Sequence, residues 1–255
     1  MGNSREALID AIVGVCRQVA AKGWVANHDG NASVRLDDTL LATPSAVSKA
    51  DVSADMIITL DMEGKKLQGS GNPFSEIKLH LAAYRARPEI QAVLHAHPPL
   101  ATARGLAGGD FAVPLPEAVV SIGDAIPVMP YAFPGAAEND SLVVAALERS
   151  DVLMMAGNGV LACGSSIKEA FLRMELLEHL LRIDHYGRGM KPFSTIPAED
   201  KAKLLEKRAQ LGLGPVKAPA ASAQAADASQ APSLSGEWIR DLIVEELKKI
   251  LNDKK

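Results

Sequence analysis

The sequence predicts a layered α/β fold for residues 1–213, and three observations carry that prediction. Two stretches, 4–22 and 166–186, place apolar residues at helical spacing. Between them lie short apolar runs separated by turn residues, the pattern of strands. Apolar residues make up 47% of the 255-residue chain and aromatics only 4%, so an aliphatic core is available for one good body or two small ones.

The elements follow in order. Ala7, Ile9, Ile12, Val13, Cys16 and Val19 line one face of a helix over 4–22, and Gly23 stops it. Strands are predicted over 32–36, 40–43 and 56–60, divided by Asp37-Asp38 and Pro44-Ser45 and followed by Glu63-Gly64. Residues 75–87 read as a helix that starts at Pro73 or Ser75 and ends before Pro88. A strand over 92–95 is broken by His97-Pro98-Pro99. Residues 152–156 and 160–163 pair about Gly157-Asn158-Gly159, a turn that favours a hairpin, and a long amphipathic helix covers 166–186. Strands flanked by helices argue for packed layers and against a helix bundle.

Past the body, residues 214–232 read as a flexible linker: in 218–232 eight of fifteen residues are Ala and two are Pro, too little bulky apolar area to offset ordering entropy. Residues 233–255 differ. Ile239, Leu242, Ile243, Leu247, Ile250 and Leu251 recur three and four apart, with Trp238 beside them. Asp241, Glu245, Glu246, Lys248 and Lys249 fill the other face, and Ser235 is a candidate N-cap. A helix this short is marginal alone and needs a surface for its apolar stripe.

Charge narrows the function. With 27 basic and 31 acidic residues the formal charge is −4, and no basic block is present, which argues against a nucleic-acid partner held through phosphates. No apolar run approaches the ~18 residues of a membrane span. The first sixteen residues, MGNSREALIDAIVGVC, carry charges inside the apolar stretch and lack a basic start, so no secretory signal is expected. Glu6 stands where a myristoylation signal wants Ser or Thr. Cys16 and Cys163 make no disulfide framework and read as reduced core residues of a cytoplasmic protein.

The chemistry lies in VLHAHP at 93–98. His95 and His97 alternate along a strand, so both imidazoles face one side within reach of one metal ion, and imidazole nitrogens suit zinc or a similar dication. Alone, such a pair is as readily structural. Glu76 opens the 75–87 helix, where a carboxylate is ordinarily a dipole partner.

An ordered set of motifs adds to this reading: GNASVR at 30–35, TPSAVSK at 43–49, SEIKLHLAAYRARPEIQAVLHAHPP at 75–99, PYAFPG at 130–135 and NGVLACG at 158–164. Over residues 5–205 or so the chain resembles the class II aldolase/adducin-head family. The resemblance implies a three-layer α/β/α sandwich around a mostly antiparallel sheet. It also implies a homotetramer with active sites between subunits, and a divalent metal, commonly Zn2+, held by the two histidines of H-x-H and a third histidine before a glycine. His95 and His97 match the first two; the third position is Asn158. An amide oxygen is a weaker zinc ligand than imidazole. Four consequences stay open: looser binding, Glu76 as a ligand, another ion, or loss of metal and activity.

Glu76 matches the carboxylate that moves the proton in carbon–carbon cleavage. The resemblance places the substrate phosphate against Asn31, Ser45 and Ser75; Ala46 stands where glycine is frequent, and Phe74 replaces one of two serines. Turn chemistry alone also accounts for Asn31 and Ser45. The region of the family's tyrosine from the adjacent subunit reads LPEAVV here; Glu117 lies in it, as an acid supplied by the neighbour or, more plainly, a solvated loop acid. His28 is placed at the mouth of the site; His80, His179 and His185 fall on helices as surface or packed residues.

The implied function is metal-dependent cleavage of a small phosphorylated sugar, a ketose 1-phosphate such as L-fuculose 1-phosphate, to dihydroxyacetone phosphate and an aldehyde. A related epimerase, dehydratase or decarboxylase is the first alternative, and a catalytically silent adducin-like binding module the second. A globular enzyme followed by a linker and a short amphipathic helix resembles a bacterial-microcompartment cargo protein, with 233–255 as an encapsulation peptide for shell or cargo. The other reading of that helix is that it folds back on its own oligomer.

Overall fold

The computed structural model describes residues 4–132, 138–190 and 195–215. The linker and amphipathic helix expected after residue 213 lie, from 216 on, outside the described residues.

The first helix, α1 (Arg5–Ala21), begins where the Ser4 hydroxyl accepts the Ala7 N–H, and it buries Ile12, Val13, Val15, Cys16 and Val19. Strands β1 (Asn31–Leu36) and β2 (Thr39–Ala42) form a hairpin in the register Ser33↔Ala42 to Leu36↔Thr39. Strands β3 (Ile58–Asp61) and β4 (Lys66–Gln68) extend it, and α2 (Ile77–Ala86) leads into β5 (Ala92–Ala96). Then come α3 (Pro99–Ala107), β6 (Phe111–Ala112), α4 (Pro116–Ile122), β7 (Ala125–Ile126), β8 (Val128–Met129) and α5 (Glu138–Leu147). The hairpin of β9 (Val152–Met155) and β10 (Val160–Gly164), the long α6 (Ile167–Gly187) and α7 (Ala198–Gln210) complete the described chain.

Among the described residues eight strands form one sheet in the order β4-β3-β2-β1-β5-β10-β9-β8. Every pairing is antiparallel except β8 with β9. Alternation along the strands divides the core in two. Ala92, Leu94 and Ala96 of β5 join Ala32, Val34, Met154 and Ala162 against α1 and α6. Val93 joins Leu60, Leu153, Leu161 and Cys163 against α2 and α5. Both faces are covered, which is why the central strands read as unbroken apolar runs. The three-layer α/β/α sandwich is therefore present. Both cysteines are free and buried, and burial pushes Cys16 up to about 11 and Cys163 up to about 12, so neither thiol ionises near neutrality.

Several boundaries differ from the sequence expectation. The helix expected from 75 starts at Ile77, with Glu76 at its N-cap position and its side chain making no cap hydrogen bond. The strand expected from 56 starts at Ile58 because Ala54–Met56 is a short 3-10 turn. His97-Pro98-Pro99 ends a strand, as expected, but Pro99 also opens α3, since proline suits a first helical turn. LPEAVV is not a loop: Pro116–Ile122 is helical.

At the far end of β9 from the turn carrying Asn158, the fully buried Asp151 is bound by Arg87 at 2.6 Å and Arg208 at 2.5 Å, with Arg173 at 3.5 Å. These ties join the end of α2, α6 and α7 to the sheet.

Candidate active site

The site forms where the central strands end on the α2 side of the sheet. His95 lies on β5 directly opposite Asn31 of β1, so both side chains point to the same face. Gly30, at φ +76°, lets the chain cross close above: a Cβ there would sit 3.0 Å from the His95 carbonyl oxygen and 2.7 Å from Val25 Cγ1. His97 follows the strand, its N–H donating to the Trp24 carbonyl at 2.8 Å. Asn158 occupies the β9–β10 turn between Gly157 and Gly159, both at positive φ, and a Cβ on Gly159 would collide with the His97 ring.

These placements converge on Glu76. Its Oε1 accepts Asn158 Nδ2 and its Oε2 accepts Asn31 Nδ2, each at 2.8 Å. Oε1 also stands 3.4 Å from His95 Nε2, which stands 3.1 Å from His97 Nε2. Burial pushes the Glu76 carboxyl up, but the His95 charge and the two amide donors outweigh it, and the group ends below the usual carboxylate range. Its side chain remains 21% exposed, open to a ligand.

The tautomer of His95 is fixed by the fold. Its Nδ1 lies 3.0 Å from the Val160 carbonyl oxygen, which only accepts, so Nδ1 carries the proton and Nε2 turns inward. With His97 Nε2 facing it at 3.1 Å, the two nitrogens must share a proton or another cation. Burial and the His95 charge hold His97 below the usual histidine value, against the pull of Asp29, Glu76 and its hydrogen bond with Asn158.

Behind the site His80 is fully buried, its Nδ1 2.8 Å from Ser33 Oγ, which in turn meets the Tyr84 hydroxyl at 2.9 Å. Burial, then the His95 charge, pushes His80 down to about 3, so it is neutral.

Donor chemistry tests whether a dication fits. Two ligands bound to one tetrahedral zinc at ~2.0–2.1 Å stand ~3.3 Å apart. The separations of 3.1 Å between the imidazoles and 3.4 Å from His95 to Glu76 Oε1 match that spacing. Among the described residues no three His, Cys, Asp or Glu side chains are grouped so as to hold a metal ion by themselves, Glu76 with the two histidines included. The fit therefore rests on the imidazole pair, with Glu76 and the amide of Asn158 close enough to supply an oxygen on a small side-chain adjustment, a donor set suited to zinc-like ions.

The other expected residues fall as follows. Asn31 is 4% exposed, and its amide is committed to Glu76. The Ser45 N–H donates to the Asn72 carbonyl at 2.9 Å, which seats turn 43–46 against the loop leading to Ser75. Ala46 is exposed at φ +58°, the left-handed conformation that explains a glycine preference there. Ser75 and His28 are exposed. Glu117 is exposed on α4, whose Ala118, Val119 and Ile122 join the core on the α6 side, so within one chain it is not brought to the histidine pair. Sequence reasoning missed Asp29, whose Oδ2 lies 3.6 Å from His97 Nδ1, and Lys49, which is 2% exposed. It also placed His80 without its network.

Fold and site together define an α/β/α enzyme that sets a doubly held carboxylate beside an imidazole pair. The chain belongs to the Class II Aldolase and Adducin N-terminal domain family, whose model matches residues 10–185. It is 32% identical over 211 residues to a 5-methylthioribulose-1-phosphate/5-deoxyribulose-1-phosphate aldolase of Rhodospirillum rubrum, covering 81% of this chain and 93% of that protein. It is 28% identical over 210 residues to the L-fuculose phosphate aldolase of Escherichia coli K12, covering 82% and 97%. A solved L-fuculose 1-phosphate aldolase superposes with TM-score 0.73 at 23% identity, over 80% of this chain and 97% of that one, which speaks for the fold. The chain is thus an enzyme of the class II aldolase type. Such aldolases in general depend on a divalent metal, typically zinc.

Proposed function

We propose that this chain is a divalent-metal-dependent aldolase that cleaves a ketose 1-phosphate, of the L-fuculose 1-phosphate kind, to dihydroxyacetone phosphate and an aldehyde such as lactaldehyde. The observation that carries this reading is the Glu76 carboxylate, held at both oxygens by Asn31 and Asn158 beside His95 and His97. The ketose phosphates in the names of the relatives, 1-phosphates in the Rhodospirillum rubrum protein, support the substrate class.

His95 and His97, with an oxygen of Glu76 or Asn158, would hold the ion, Zn2+ by donor type. Once bound, it would act as a Lewis acid toward negative charge developing on the substrate oxygens. The remaining work falls to the chain. Cleavage removes the proton of the C4 hydroxyl as the C3–C4 bond breaks, and the three-carbon fragment takes a proton at C3. Glu76 is ionised at neutral pH, as its lowered pKa requires, and is the group that takes the first proton and returns the second. Oε2, the oxygen Asn31 holds, carries the proton, because Oε1 faces His95. The phosphate would sit against turn 43–46, with Ser45 and the backbone of Ala46, and against Ser75; Asn31, buried and donating to Glu76, would act through that carboxylate instead.

A homotetramer with Glu117 supplied from a neighbouring copy belongs to the same reading, and light scattering at four times the chain mass tests it. We further infer that 233–255 is an encapsulation peptide that draws the enzyme from the cytoplasm into a microcompartment lumen, on the strength of its apolar stripe.

The test of function is a coupled assay for dihydroxyacetone phosphate on L-fuculose 1-phosphate, L-rhamnulose 1-phosphate and 5-deoxyribulose 1-phosphate with the zinc-loaded full chain. Release from at least one is expected. Release from none, with zinc bound, would remove the aldolase reading.

A further inference from the structure

We propose that Asp29 is a positioning residue for His97, holding the imidazole at Nδ1 so that Nε2 is offered to the divalent ion. The inference rests on the metal-dependent reading above and adds to it a residue outside the ligand set.

Each imidazole of the pair has one nitrogen turned inward and one outward. The outward Nδ1 of His95 is held by the Val160 carbonyl at 3.0 Å. The outward Nδ1 of His97 faces the Asp29 carboxylate, with Oδ2 at 3.6 Å, an ion-pair separation that a small rotation of the exposed Asp29 side chain closes to a hydrogen bond. A histidine ligand works best when its distal N–H is directed at an acceptor, because that fixes tautomer and ring orientation and makes the ligating nitrogen more basic. A backbone carbonyl does this for His95. The carboxylate is placed to do it for His97, with the added benefit of its charge beside a dication.

The loop that carries Asp29 is held in place from several sides. The Asp29 N–H closes a turn onto the Ala26 carbonyl at 2.9 Å, and Asn27 adopts φ +49° within it. Lys49, buried at 2% exposure, donates from Nζ to the Val47 carbonyl at 2.5 Å and to that of His28, the residue before Asp29, at 3.3 Å. On the other side Gly30 passes over the His95 carbonyl, and Asn31 grips Glu76. One loop thus delivers a carboxylate to His97 and an amide to Glu76, flanking the imidazole pair. Burying an ammonium is costly unless it is hydrogen-bonded, and the Val47 and His28 carbonyls supply those bonds here, so Lys49 ties the two loops together.

Zinc affinity tests this directly. Competition against a chromophoric chelator would compare the full-length wild type, Asp29→Asn, Asp29→Ala and, as control, Asp38→Asn in the exposed β1–β2 turn. The Asp29 variants are expected to bind zinc about 10- to 100-fold more weakly and the control as wild type. The downfield Nδ1–H proton resonance of His97 in the zinc-loaded wild type should weaken or vanish in Asp29→Asn. Zinc affinity of both Asp29 variants within about twofold of wild type overturns the assignment of Asp29 and leaves the metal reading intact. Failure of the wild type itself to bind zinc overturns both.

Discussion

At the scale of single residues, the site is a set of polar groups whose states are set by burial and by one another. His80 shows this most clearly. It is neutral because it is sealed behind Glu76 and His95, and its pKa lies near 3 against an ordinary 6.5. Between those values the unfolded chain binds the proton and the folded one does not. Stability on this account is complete above pH 6.5 and falls as pH drops toward 3, by at most ~1.4 kcal/mol per pH unit for the one proton. Urea titrations of wild type and His80→Phe across pH 6.5 to 4 should show a shallower decline in the variant; parallel curves would assign the proton elsewhere. Asn158→His, which restores the imidazole that the family resemblance implies, should tighten zinc binding; equal affinity would mean that position 158 does not face the ion. His95, His97, Glu76 and Asn158 were legible in the sequence because they sit in short motifs. Asp29 was not. It meets a histidine far along the chain, and only the φ of Gly30 and the grip of Lys49 bring it there.

At the scale of elements, the strongly patterned segments were legible. α1, α6, the β1–β2 hairpin and the β9–β10 hairpin each follow an apolar period closed by turn residues. The missed elements have physical reasons. β6, β7 and β8 are two residues long, and β4 is an exposed edge strand, so neither has a buried stripe to read. α3 hides behind two prolines that read first as a break. α7 carries little apolar area; it is tied down by Arg208, which reaches Asp151 and the backbone of α4. That tie gives a prediction of its own. Asp151→Ala would remove the buried anion that three arginines share, leaving Arg87 to Glu89, Arg173 to Glu169 and Arg208 to backbone carbonyls alone, at a cost of about 3–5 kcal/mol. Guanidinium denaturation should find that loss; a change under ~1 kcal/mol would mean that the arginines find other partners or solvent.

At the scale of the whole molecule, the layered class was readable from the order of strands and helices, whereas the sheet order was not, because β1, β5 and β10 pair across long stretches of chain. That non-local pairing builds the site, since it sets Asn31, His95 and the β9–β10 turn side by side. No helix among the described residues is long and apolar enough to cross a membrane. Removal of 233–255 should leave fold and turnover intact while abolishing co-localisation with shell proteins; retained co-localisation would contradict the targeting role. In the proposed reaction Glu76 moves the proton of carbon–carbon cleavage beside an ion held by His95 and His97. The most direct test of that role is the rate of dihydroxyacetone phosphate release by the zinc-loaded full chain and its Glu76→Gln variant. A fall of about 10²- to 10⁴-fold is expected in the variant; an undiminished rate would mean that another group moves the proton.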